Sequence, residues 1–273
     1  MDKKTVFKFL GYTLLIYLVV VGMMSFFQNH LIFHPSEFMT DSPDRLEIPW
    51  SDHYVETEDG TMIHGWLLKN EDAEHTVVFS HGNAGNISGR LDIAKTIYDK
   101  GVSVFLYDYR GYGNSEGSPN EDGFFDDARS VVNYLAGEQG IPTDSMIFYG
   151  RSLGGSAAAH QASEFSGAGL VLDSAFANIL SMAQSAYPFV PSFLVRAEFP
   201  TDQFLMNRGE MPVLFMHSPD DQIVPFDQGR QLYEQADGEK RLVELRGGHN
   251  DNFHNSRDIY EEAWMEFIAQ LNQ

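Results

Sequence analysis

No cysteine occurs in the 273 residues. That absence excludes disulfides, thiolate metal sites, a cysteine nucleophile and lipid modification of an N-terminal cysteine. It leaves the redox compartment open, since a chain without thiols suits either side of a membrane. Positive charge is scarce as well: 18 Lys and Arg stand against 39 Asp and Glu, giving a formal net charge of −21 and a pI near 4.6. This balance argues against binding to nucleic acid or to an anionic membrane surface by general attraction, and the charge mainly favours solubility. Internal repeats and low-complexity tracts are missing too. What remains is a chain 43% hydrophobic, long enough to bury a substantial core in one large α/β domain.

The N-terminus departs from the soluble pattern. Residues 9–27 contain no charged side chain, and such a run would span about 28 Å as a helix, close to the thickness of a bilayer core. Lys3, Lys4 and Lys8 precede it, and residues 28–44 carry no Lys or Arg. The positive-inside bias therefore predicts a cytoplasmic N-terminus over residues 1–8, a single transmembrane anchor over 9–27, and a following domain on the extracytoplasmic side. A cleaved signal peptide and a buried helix are the alternatives. Against cleavage, the run exceeds the length of a signal-peptide core and ends in Met23-Met24-Ser25-Phe26-Phe27, without a small-x-small site.

Residues 28–50 carry Pro35, Pro43 and Pro49 with little periodicity and read as a linker wrapping onto the domain. Asp59-Gly60 then marks a tight turn between two strands, 53–57 and 62–68. Apolar runs at 76–79, 102–107, 146–149, 170–172, 213–216 and 242–245 read as buried, mostly parallel strands. Helical patterns separate them near 91–100, 123–136, 153–163, 226–236 and 255–271. The expectation is an α/β sheet of about eight strands, two leading antiparallel ones included, covered on both faces. Between Asp173 and Pro212 the connection is too long for an ordinary crossover, so a lid is expected at about 177–211. Its cluster from Tyr187 to Val195, held by Pro188 and Pro191, fits two uses: core packing of a crossover helix, or an apolar substrate wall in which Tyr187, Phe189 and Phe193 line the pocket.

The chemistry centres on Gly150-Arg151-Ser152-Leu153-Gly154, between an apolar run and the small-residue segment Ser156-Ala157-Ala158-Ala159. A strand turning sharply into a helix lifts its apex hydroxyl above the sheet edge, and the flanking glycines let the turn close. Alone the motif is weak, with about 0.1 accidental matches expected in such a chain. Acyl transfer by serine also needs a base, an acid to orient it, and two donors for an oxyanion. His249, in Gly247-Gly248-His249-Asn250 beyond the last strand, is the base candidate, with His254 its nearest competitor. Asp221, after the strand at 213–216, is the acid candidate, with Asp220 and Asp173 as competitors. The chain order Ser, Asp, His favours Asp221 and His249. The backbone N–H groups of Leu153 and of Asn83, in Ser80-His81-Gly82-Asn83-Ala84-Gly85-Asn86, are the oxyanion donors expected. No Gly-Lys-Ser/Thr follows that loop to hold a nucleotide. His81 lacks nearby ligands at metal spacing and reads as a structural hydrogen-bonding group. No metal and no cofactor is expected.

Taken together, the Ser80–Asn86 loop, Asp108-Tyr109-Arg110-Gly111-Tyr112-Gly113-Asn114-Ser115-Glu116-Gly117, the serine turn, the Asp221 segment and Gly248-His249-Asn250 resemble the α/β-hydrolase-fold serine hydrolases. They are more similar still to the membrane-anchored bud-emergence group and its α/β-hydrolase domain-containing relatives. The resemblance implies an α/β-hydrolase domain over 51–273 with Ser152 as nucleophile, His249 as base, Asp221 as acid, and Asn83 and Leu153 as oxyanion donors. It marks the Asp108–Gly117 loop as structural, with Arg110 paired internally. The expected activity is a membrane-anchored serine hydrolase acting through an acyl-enzyme on a small-molecule ester or related acyl substrate, lipid-like if the lid lines the pocket. A peptidase or amidase on the same triad and a noncatalytic membrane scaffold are the alternatives. Fold does not settle substrate.

Overall fold

A computed structural model describes residues 2–273. The alternating apolar runs form β1 (Trp50–Glu56), β2 (Met62–Leu68), β3 (Thr76–Ser80), β4 (Ser103–Tyr107), β5 (Met146–Arg151), β6 (Gly169–Asp173), β7 (Val213–His217) and β8 (Lys240–Glu244). They make one sheet in the order β8-β7-β6-β5-β3-β4-β2-β1. The two leading strands pair antiparallel, β1 with β2 and β2 with β4. Every other pairing is parallel.

Alternate side chains leave a strand on opposite faces, and both faces are buried here. Val78, Phe105, Phe148, Leu172 and Phe215 point into one core, while Val77, Phe79, Leu106, Tyr149 and Leu214 point into the other. The first core is closed by α4 (Glu121–Gly137), α5 (Gly154–Glu164) and α8 (Phe226–Gln235), and the second by α3 (Leu91–Tyr98) and α10 (Arg257–Leu271). The small residues Ala157, Ala158 and Ala162 let α5 lie close to the middle of the sheet. This is the architecture expected from the sequence.

Ahead of the sheet, α1 (Lys3–Phe26) is long and apolar enough to cross a membrane, and α2 (Gln28–Ile32) continues it after one residue. The segment expected as a linker is therefore only partly irregular. Phe33 is buried against Phe124 and Phe199, and His34–Pro35 pairs with Ala84–Gly85 in a short parallel ladder. The lid region holds α6 (Ile179–Ala186) and α7 (Thr201–Met206). The two uses open for it divide along its length. Phe199 and Leu205 in its second half are buried in the first core, whereas its first half lies over the end of the sheet where β5 meets α5.

Candidate active site

The turn between β5 and α5 shows why its glycines are required. Ser152 has φ 54°, a left-handed conformation that costs a non-glycine residue about 1–3 kcal/mol. A Cβ on Gly150 would lie 2.1 Å from the Gly154 carbonyl oxygen, and one on Gly154 would lie 2.1 Å from the Ser80 carbonyl oxygen. Both clashes are with backbone, which cannot swing aside. Gly150→Ala is accordingly expected to destabilise the protein by about 3 kcal/mol, the upper part of the range for overpacking, read as a lower urea midpoint. An unchanged midpoint would show that the turn is looser than this geometry.

At the apex, the Ser152 hydroxyl lies 3.0 Å from His249 Nε2, and His249 Nδ1 lies 2.6 Å from Asp221 Oδ2. Asp221 Oδ1 accepts from the backbone N–H groups of Ile223 (2.9 Å) and Val224 (2.8 Å). His217 Nε2 stands 3.5 Å from Oδ2 while donating to the Val224 carbonyl. Burial pulls the Asp221 pKa upward, but the hydrogen bonds from His217, His249 and Val224 outweigh it and hold the carboxyl below its usual range. The carboxylate is thus ionised and aimed at the imidazole. A hydroxyl, an imidazole and a buried carboxylate in this relay can pass a proton from serine to histidine and stabilise the imidazolium that results.

The competitors lie elsewhere. Asp220 is exposed, and His254 is exposed on α9 (Asn252–Asn255). Asp173 is fully buried, accepting from the Tyr149 hydroxyl and facing Arg151 at 3.5 Å. Leu153 caps the start of α5 and lines the same cavity as Asn83 and Ser152. Neither the Leu153 nor the Asn83 N–H is donated to another group among the described residues, so both remain available to a ligand oxygen. Behind Asn83, the Tyr109 hydroxyl donates to the His81 carbonyl at 2.8 Å and the Tyr112 hydroxyl reaches Asn83 Oδ1 at 3.4 Å. Asp108 faces His81 Nε2 at 3.2 Å. The Asp108–Gly117 loop thus props up the Asn83 loop, and Arg110 pairs with Asp127, Asp59 and Asp126.

One residue of the site escaped the sequence reading. Arg151 Nη2 donates to the His249 carbonyl (2.7 Å) and to Asn252 Oδ1 (2.8 Å), tying the nucleophile turn to the histidine loop. Burial opposes its charge, but Asp173 chiefly, with Tyr149, Tyr260 and Asp221, holds its pKa above the ordinary arginine value.

The cavity in front of Ser152 has a volume of about 340 Å³, at the low end of ligand pockets. Tyr187 lines it, together with Phe176, Met182, Leu194 and Ile223. Phe189 and Phe193 do not, contrary to expectation: they are 51% and 81% exposed. The two prolines break any helical period around them, and Val190 and Leu194 turn inward in their place. The opposite wall was also unforeseen. It comes from the end of α1 and from α2, through Met24, Ser25, Gln28, Leu31 and Ile32. Among the described residues, none that lines the cavity is an Asp, Glu, Lys or Arg. Among the described residues no group of three or more His, Asp or Glu side chains could hold a metal ion.

The uncharacterized membrane protein YNL320W of Saccharomyces cerevisiae is 34% identical over 96% of this chain and 96% of its own length. The α/β-hydrolase domain-containing protein WAV2 of Arabidopsis thaliana is 29% identical over 92% of this chain and 90% of its own. The chain belongs to the α/β-hydrolase family. Within this hydrolase, residues 71–201 match the family described as serine aminopeptidase, S33. In fold, the hydrolase is similar to the Pyrococcus furiosus esterase Pf2001, with a TM-score of 0.73 at 18% identity, covering 88% of this chain and 98% of that one.

Proposed function

We propose that the protein is a membrane-anchored serine hydrolase that cleaves carboxylic esters or related acyl compounds, lipid-like ones included, through an acyl-enzyme. The observation that carries this reading is the hydrogen-bonded relay Ser152–His249–Asp221, whose serine lines an apolar cavity. His249 takes the hydroxyl proton as Ser152 Oγ attacks the acyl carbon, and the tetrahedral oxyanion is held by the Asn83 and Leu153 N–H groups. Collapse breaks the bond to the leaving oxygen, to which His249 returns the proton. A water molecule, deprotonated by the same imidazole, then attacks the acyl-serine and frees the acid. No step calls for a cofactor.

The aminopeptidase description of the matched family favours peptide substrates as a second reading. An aminopeptidase must hold a free α-ammonium group, and a charged group taken from water needs a partner. The cavity offers no carboxylate in its lining, so the ester reading is preferred. Purified full-length protein is expected to turn over p-nitrophenyl acyl esters at least 100-fold faster than aminoacyl p-nitroanilides. A reversed ratio would give the site to peptides, and no turnover of either would favour a noncatalytic scaffold.

The anchor is residues 9–27, carried almost entirely by α1, with residues 1–8 cytoplasmic and the hydrolase domain on the extracytoplasmic side. Support comes from Lys3, Lys4 and Lys8 ahead of the apolar run, from the length of the helix, and from the membrane-protein description of the yeast relative.

A further inference from the structure

The first half of the lid lies along the apolar helix, not merely over the cavity. The Tyr17 hydroxyl donates to the Phe189 carbonyl at 2.9 Å. One end of the contact is tied more heavily. The Leu194 carbonyl accepts from the Ser25 hydroxyl (2.9 Å) and from Gln28 Nε2 (2.7 Å), and Gln28 Oε1 accepts from the N–H groups of Arg196 (2.9 Å) and Ala197 (3.1 Å). Ser25 is eight positions after Tyr17, about 12 Å of helix at 1.5 Å per residue. The strip from Leu194 to Phe189 therefore runs down the helix by somewhat less than the thickness of one leaflet of a bilayer core.

The composition of this strip suits hydrocarbon. Ile179 through Val195 contains no charged residue, in a chain that is 21% charged. Phe189 and Phe193 are exposed and take no part in lining the cavity. Backbone groups in hydrocarbon must find partners within the protein. Pro188 and Pro191 have no N–H to satisfy, and the N–H groups of Tyr187, Val190, Leu194 and Val195 are donated within the lid, which leaves those of Phe189, Ser192 and Phe193 without a protein partner among the described residues. The Phe189 and Leu194 carbonyls are taken by α1 and Gln28. At the upper end Arg196 Nη2 donates to the Ser25 carbonyl, which puts a cation where lipid headgroups would lie.

We infer that the lid is inserted into the same leaflet that α1 enters, with Phe189 and Phe193 in contact with acyl chains, and that the substrate is a membrane-resident acyl lipid. Its chain passes from the leaflet between lid and helix into the cavity bounded by Met24, Leu31 and Ile32 on the helix side and by Met182 and Leu194 on the lid side. This inference rests on the esterase reading for the reaction and on α1 as the anchor for the membrane contact. The two are tested apart.

Because the chain has no cysteine, Phe193→Cys gives a unique attachment point for an environment-sensitive NBD fluorophore. In full-length protein reconstituted into phosphatidylcholine vesicles, doxyl-labelled lipid is expected to quench this probe and aqueous iodide to leave it largely unquenched. A probe at Glu138→Cys, exposed at the far end of α4, is expected to do the reverse. Iodide quenching at position 193 without doxyl quenching would overturn insertion. For substrate, the double variant Phe189→Ser/Phe193→Ser is expected to lose at least tenfold in hydrolysis of a long-chain monoacylglycerol carried in the same vesicles, and to change less than twofold on a short, water-soluble ester. Equal activity of variant and wild type on the vesicle lipid would overturn the lateral route. If the wild type hydrolyses neither ester, the esterase reading fails, and the quenching result alone decides the membrane contact.

Discussion

Ester hydrolysis is expected to fall by about 10⁴-fold or more in Ser152→Ala, and covalent labelling by a fluorophosphonate probe to vanish, while the protein stays folded. The size follows from removing a nucleophile that acts as one unit with its base and acid, whose single deletions cost nearly as much as removing the whole set. Some turnover above water is expected to survive, since the Asn83 and Leu153 N–H groups still stand ready for an oxyanion. Backbone strain makes the prediction sharper. Ser152 holds φ 54°, which glycine adopts freely. Ser152→Gly is therefore expected to be as inactive as Ser152→Ala and yet more stable than wild type by about 1 kcal/mol, read as a higher urea midpoint. That pairing of lost activity with gained stability marks strain stored for function. Equal labelling of wild type and Ser152→Ala would remove Ser152 from the mechanism, and a destabilised Ser152→Gly would mean that the hydroxyl, not the backbone, is what holds the turn.

The parts of the site legible in the sequence are those whose geometry is made locally. Gly150 and Gly154 are required by atoms within a few residues, or on the adjacent β3, and the turn they allow forces Ser152 to the sheet edge. His249 and Asp221 follow the ends of neighbouring parallel strands, so strand order alone brings them to one rim. Long-range contacts between irregular segments left no such signature. Arg151 sits beside the nucleophile in sequence, but its partner carbonyl is 98 residues away. Gln28 reads as one polar residue after an apolar run, and only the fold brings its carboxamide to the lid at Leu194, Arg196 and Ala197. Aromatic character makes Phe189 and Phe193 candidates for a cavity wall as readily as for core packing. In a segment interrupted by two prolines there is no period from which to read a face, and the smaller Val190 lines the cavity instead. The sheet itself was legible almost to its ends, because β3 to β7 are buried on both sides and need continuous apolar runs.

Asp221→Asn carries the second large effect, about a 10⁴-fold loss in kcat with the fold retained. The carboxylate accepts from His249 Nδ1 at 2.6 Å, which leaves Nε2 free to accept the Ser152 proton. An asparagine in the same place can turn its NH₂ toward Nδ1, favouring the tautomer that carries its proton on Nε2, and the base is then lost even though the atoms barely move. Asp220→Asn, at an exposed carboxylate, is expected to change kcat less than twofold, so the pair separates the two adjacent acids. Stability gives an independent reading. The folded-state pKa of Asp221 is depressed, so the ion contributes stability above the ordinary carboxyl range, and this is lost as pH falls through the depressed value. Asn has no such titration. The difference in unfolding free energy between wild type and Asp221→Asn is therefore expected to be largest near neutral pH and to shrink on acidification. A difference that stays constant with pH would mean that Asp221 acts through packing rather than through its charge on His249.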